Sequence, residues 1–163
     1  MKTIRPVILS LILTAICIIP GSSAPKEIPP SELPADVIAT LNAYLTVLST
    51  GKSVQDAAET LISQDLVAGH LISSDGKSVP RDIVEYSLKK DYTNISFYTI
   101  PADISRVTVT ENDTDGFNRT LVKGTRYKIW IRKKSGVPGM PAPIPVIKPE
   151  KGKPKVVSNI GSL

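Results

Sequence analysis

The hydrophobic rhythm of the chain changes near residue 94, and that change limits the folds open to it. Before it, apolar residues recur at three- and four-residue spacing, the period of a helix with one buried face. After it they alternate, the period of a strand with one face in a core. Helices first and strands afterwards argue for an α+β architecture rather than alternating parallel β–α units.

Val37, Leu41, Tyr44, Leu45 and Leu48 form one apolar stripe and predict a helix over about residues 35–49. Gly51 is expected to close it in the left-handed cap conformation. Ser53, with Asp56 three residues on, caps a second helix that buries Val54, Ala57, Ala58, Leu61 and Ile62. Residues 66–73 read as a short strand ended by the turn Ser74-Asp75-Gly76-Lys77. A third helix starts at Ser78 and turns Ile83, Val84, Ser87, Leu88 and Tyr92 inward. Alternation then gives strands at 95–100, 104–110 and 117–132, with Gly124 marking a bulge or break in the last. Residues 144–148 are expected as a short edge strand, because prolines crowd the stretch from 137 to 149, and 155–160 as the final one. The expected fold is α+β, with three N-terminal helices packed on a curved, mainly antiparallel sheet.

The first 24 residues have the layout of a secretory signal. Lys2 and Arg5 make a basic start, an apolar run follows over residues 7–19, and Pro20-Gly21-Ser22-Ser23-Ala24 supplies a breaker and small residues. The run is too short to span a bilayer comfortably, and no membrane span is expected once it is cleaved. Cys17, the one cysteine, falls inside this run with Ile16 before it, which argues against a lipid-attachment site. The mature chain is therefore expected to be exported, periplasmic or secreted, and to have no disulfide framework. Residues 25–34 are rich in proline and read as an extended linker, leaving 35–163 as one domain.

This order of elements (two helices, a short strand, a third helix, then a run of long strands) resembles the nuclear transport factor 2-like superfamily over roughly residues 35–163. The resemblance implies a strongly curved sheet wrapped against the helices to form a cone with a pocket. Its enzymes are ketosteroid isomerase-like, dehydratase-like and polyketide cyclase-like, and other members bind small molecules or dimerise. The family's enzymes often place Asp, His and Tyr side chains in the cavity. The positions here that suit such a role are His70, Asp65, Asp103, Tyr98, Tyr44 and Tyr127. On the expected strand, His70 shares a face with Leu66, Ala68 and Ile72, where it could serve as a general base. Ordinary roles compete: a partly buried histidine, loop aspartates and core tyrosines with tethered hydroxyls.

One histidine and no mature cysteine make no zinc set, so no metal and no cofactor are expected. Asp113-Thr114-Asp115-Gly116 has the start of a calcium loop without its later glutamate and reads as a turn. Asn94, Asn112 and Asn118 each begin an N-glycosylation triplet.

Charge is divided along the chain. Residues 25–118 hold seven Lys plus Arg against fourteen Asp plus Glu, and residues 119–163 hold eleven against one. In the long strand, Arg126, Lys128, Trp130 and Arg132 alternate with Tyr127, Ile129 and Ile131, so the basic set shares one sheet face. That face is either a docking surface for an anionic surface, polymer or acidic protein, or the complement of the acidic helices or of a second subunit. Nucleic acid is an unlikely partner for an exported chain. The expected function is an exported binding or accessory module, with a pocket enzyme of isomerase or dehydratase type and a structural homodimer as the alternatives.

Overall fold

A computed structural model describes residues 23–163. Most of the expected export signal, including Cys17, lies outside the described residues. Among the described residues, three α-helices and a five-stranded antiparallel sheet form a mixed α+β unit. Among the described residues, no helix is long and apolar enough to cross a membrane.

Helix α1 (Ala35–Thr50) buries Val37, Leu41, Tyr44, Leu45 and Leu48, the stripe that its spacing dictates. Gly51 ends it in an extended conformation, not the left-handed one expected. Helix α2 (Val54–Ser63) buries Ala57, Ala58 and Leu61. Its cap is reciprocal: the Asp56 N–H donates to Ser53 Oγ at 3.1 Å, while the Asp56 carboxylate reaches back to the Lys52 N–H. The third helical segment opens as a π-helix over Ile83–Leu88, continues as α3 (Lys89–Asn94) and closes in a 3₁₀ turn at Ile95–Phe97. The strand expected at 95–100 is therefore absent. Ile95 and Tyr98 are both buried at the three-residue spacing of a helix face, and only Tyr98 makes a bridge, to Lys133.

The sheet runs in chain order through β1 (Lys26–Ile28), β2 (Ile104–Asp115), β3 (Val122–Ile131), β4 (Ala142–Pro149) and β5 (Lys155–Val156). Since β1 precedes α1, the expected three helices ahead of all strands are not found. The segment read as a linker instead pairs with β2, Glu27 opposite Thr108. Residues 66–73 make a 3₁₀ turn at Gly69–Leu71 and a single parallel bridge, Val67 to Val156, rather than a strand.

Strand β4 is not an edge. It pairs along its whole length with β3 and then with β5. Its prolines, Pro143, Pro145 and Pro149, are separated by even numbers of residues, so their nitrogens face the same side. The Pro145 carbonyl accepts the Val157 N–H on the β5 side, and the residue's nitrogen points the same way. The missing donors thus fall away from β3, whose ladder stays intact, and β5 pairs over only two residues.

The inner face of the sheet carries Val107, Ile129, Ile131, Ala142, Ile144, Val146 and Val156, all packed into one core with α1 and α2. Tyr44, Leu41 and Leu45 fill the space beneath it and are fully buried. Gly124 of β3 faces the β4 backbone closely: a Cβ there would lie 2.1 Å from the Lys148 carbonyl oxygen. Close backbone approach is the reason for a glycine inside this strand.

Candidate functional site

At the far end of β2 a buried carboxylate gathers four segments of the chain. Asp115 accepts the His70 main-chain N–H at 2.8 Å and lies 2.9 Å from His70 Nδ1, both through Oδ1. Through Oδ2 it accepts Arg126 Nη2 at 3.1 Å and the Ser158 hydroxyl. Arg126 also donates to Asp113 and to the Thr114 carbonyl. Two glycines make this meeting sterically feasible. A Cβ on Gly69 would fall 2.0 Å from Asp115 Oδ1, and one on Gly116 would fall 2.7 Å from the Gly69 Cα. Both have positive φ, at +67° and +86°, a region that glycine enters without strain.

A register shift in β2 between Thr110 and Asp113, with Asn112 at φ +54°, delivers the two aspartates. Plain alternation would set Asp113 and Asp115 on the core face with Val107 and Val109. The bulge adds one residue and reverses that parity, so Asp113 pairs with Gly124 and joins the face of Arg126.

His70 has two neighbours at its Nδ1: the Asp115 carboxylate at 2.9 Å and the Gly116 N–H at 3.0 Å. The two neighbours make opposite demands, since the Gly116 N–H needs a lone pair on Nδ1 and the Asp115 carboxylate needs a proton there. Repulsion between a ring lone pair and a buried carboxylate is the larger penalty, so we assign the proton to Nδ1, donated to Asp115, at the expense of the Gly116 contact. Nε2 then carries the lone pair and makes no hydrogen bond among the described residues. The side chain is 44% exposed and packs edge-on against Phe117, ring centres 4.6 Å apart. Beside it lies a cleft of about 440 Å³ lined by Gly69, His70, Ile72, Phe117, Asn118 and Arg119, among others. Phe117 and Leu121 stand exposed in the same loop.

The other residues singled out from the sequence lie apart from this cluster, Arg126 excepted. Asp65 is exposed and pairs with Lys155. Asp103 is half-exposed and pairs with Arg132 at 2.9 Å. Tyr98 is buried with a hydroxyl that has no partner, and burial raises its pKa, with the Asp91 charge adding to it. Tyr44 is fully buried and donates to Asp91 at 2.9 Å. Burial and that neighbouring charge push the Tyr44 phenol well above its ordinary range. Asp91 is itself raised by burial, against the Leu163, Gly161 and Ser162 N–H groups and the Tyr44 hydroxyl, which favour its charge. Tyr127 is half-buried on the inner face.

On the outer face, Arg126 is only 15% exposed and held by its two aspartates, and Arg132 is paired. Among the described residues Lys128 pairs with no carboxylate, and it lies 5.2 Å from the Trp130 ring centre; Arg106 of β2, itself paired with Glu27 at 3.1 Å, lies over the same ring at 4.5 Å. Arg106 was not singled out by sequence reasoning, which treated β3 alone; the register with β2 places it opposite Trp130. Part of the charge division is satisfied internally, through Lys148–Asp36, Lys155–Asp65, Arg132–Asp103 and the Arg126 pairs. Among the described residues, no three metal-ligating side chains converge.

Burial alone would raise the Asp115 carboxyl, but the Ser158, His70 and Arg126 hydrogen bonds outweigh it and hold the group below its ordinary range. A folded-state pKa below the unfolded value stabilises the fold above the unfolded carboxylate range, and that stability is lost as pH falls through the folded pKa. Asp115→Asn should therefore cost about 2–3 kcal/mol at pH 7, with a difference from wild type that shrinks toward pH 3. Urea denaturation at the two pH values measures this. A difference that stays constant would show that the carboxylate charge is not what Asp115 contributes.

Comparison with protein-family models, with curated proteins and with solved structures returned no match.

Proposed function

We propose that the chain is an exported binding module and that its ligand is a small hydroxy acid with an apolar body, held in the cleft beside His70 with its hydroxyl donating to Nε2. The observation that carries this reading is the grip of buried Asp115 on both the main-chain and ring nitrogens of His70, which leaves Nε2 as an acceptor at the cleft. Arg119 supplies a positive charge for an anionic group, Asn118 an amide, and Phe117 and Ile72 an apolar wall. The three-part layout of the first 24 residues supports export.

The order of two helices, a third helical segment and then long strands supports the likeness to the nuclear transport factor 2-like superfamily, although the short strand expected between α2 and α3 is reduced to a single bridge. The space under the sheet, however, is filled by Tyr44, Leu41, Leu45 and the Asp91 carboxyl. Binding is therefore placed at the rim and not in a hollow cone, which disfavours isomerase or dehydratase chemistry in the interior. A His–Asp pair is also half of an acid–base apparatus. No hydroxyl or thiol is bonded to Nε2 among the described residues, so binding is the reading retained.

A second reading has the outer sheet face dock an anionic polymer, supported by the Trp130 ring between Arg106 and Lys128. Trp130 is the only tryptophan, so its fluorescence would report polyphosphate binding that weakens with salt. A response indifferent to salt would remove this reading.

For the cleft, amide NMR during titration with mandelate and 2-hydroxyhexanoate is the direct test. Shifts should concentrate in residues 69–74 and 117–120 and disappear in His70→Ala and Arg119→Ala. Neither acid shifting those amides, or His70→Ala responding like wild type, would refute the assignment.

A further inference from the structure

The opposite end of the sheet, where β2 begins and β3 ends, carries a different chemistry. Met140 is 86% exposed, Phe97 41% and Ile100 40%. Three consecutive bases, Arg132, Lys133 and Lys134, run along the same end, where Lys133 bridges Tyr98 and lies over the Phe97 ring. No acidic residue occurs between Arg132 and Lys148, and none between Asn94 and Asp103. Asp103 itself is taken up by Arg132.

The turn and the loop are clasped into one unit. The Lys134 N–H donates to the Phe97 carbonyl at 2.8 Å, and Lys134 Nζ to the Ser96 carbonyl at 2.7 Å. Lys133 Nζ lies 5.7 Å from the Phe97 ring centre and donates to the Pro138 carbonyl at 3.2 Å. A Cβ on Gly139, next to Met140, would lie 2.7 Å from that same Nζ. The ammonium of Lys133 therefore lies between the Phe97 ring and the backbone next to Met140. Neither Lys133 nor Lys134 pairs with a carboxylate among the described residues.

Apolar side chains that project beside unneutralised lysines suit an interface with hydrocarbon below and anionic headgroups at its edge. Lysine stems lie along apolar surface while their ammonium groups reach phosphate. We propose that this end of the molecule, through Phe97, Ile100 and Met140, seats on a bilayer containing anionic lipid. A second copy is a poor occupant, because a two-fold contact through this patch would set Lys133 and Lys134 against their own equivalents. A protein partner would need a broad complementary area, whereas the exposed large apolar side chains here are three, Phe97, Ile100 and Met140.

The test places a reporter at the tip of the full chain. Met140→Trp in a Trp130→Phe background, and Phe97→Trp in the same background, are mixed with vesicles whose acyl chains carry bromine. Fluorescence of both reporters should be quenched by vesicles containing phosphatidylglycerol and far less by pure phosphatidylcholine. Lys133→Glu/Lys134→Glu should weaken binding more than tenfold, from about fivefold for each lysine near an anionic surface. The quenching position makes the result independent of any contribution from residues 1–22. No quenching with anionic vesicles would overturn the proposal, as would equal quenching in the charge-reversed variant. Capture of an acidic polypeptide such as polyglutamate, with no quenching by vesicles, would assign the surface to a protein partner instead and also overturn it.

Discussion

The Asp115 carboxylate is the contact on which the far end of this fold depends. It is buried, it is charged, and each oxygen is matched by donors from outside its own strand. A buried carboxylate without such partners would cost several kcal/mol, so the donors must arrive together. They come from the turn at residue 70, from β3 and from the segment after β5. The contact therefore fastens the crossing from α2 and the last part of the chain to the end of the longest hairpin. His70 is held from behind and left open in front, which is how an otherwise structural interaction creates an accessible acceptor.

Most of the helical half was legible because burial there follows spacing. The α1 stripe and the Ser53 cap are written locally and need no knowledge of the partner surface. The misreadings come from positions where a distant neighbour decides. Residues 95–100 alternate well enough for a strand, but Ile95 and Tyr98 also fit a helix face, and the packing of the preceding helix takes them. Residues 26–28 look like a proline-flanked tether until β2 offers an open edge. The prolines of β4 suggest an edge strand when counted, yet their common parity directs every missing donor away from β3.

The candidate site was half legible. His70 drew notice as the only histidine, and its partner was hidden in plain alternation. Asp113 and Asp115 read as turn residues, and nothing local announces the bulge at 110–113 that swings them to the Arg126 face. The positive φ of Gly69 likewise turns an apparent strand into a tight turn. Arg126 was read with Lys128 and Trp130 as one open basic strip. The same bulge accounts for its withdrawal, since it brings two carboxylates within reach. The acidic and basic halves of the chain complement each other in part, through Arg126, Arg132, Lys148 and Lys155, and Lys128, Lys133 and Lys134 are among the cations that pair with no carboxylate among the described residues.

The two ends of the sheet thus differ in kind. One holds a buried ionic cluster with a cleft beside it, and the other an exposed apolar tip with free lysines, about 35 Å away along β2 by strand rise. The account of the first end rests on where one proton sits. Long-range ¹⁵N–¹H correlation spectra of the single histidine, recorded with the ring neutral, determine it directly. A proton on Nδ1, moving to Nε2 in Asp115→Asn, is the predicted result. A proton on Nε2 in the wild type, with Nδ1 accepting from Gly116, would contradict the account.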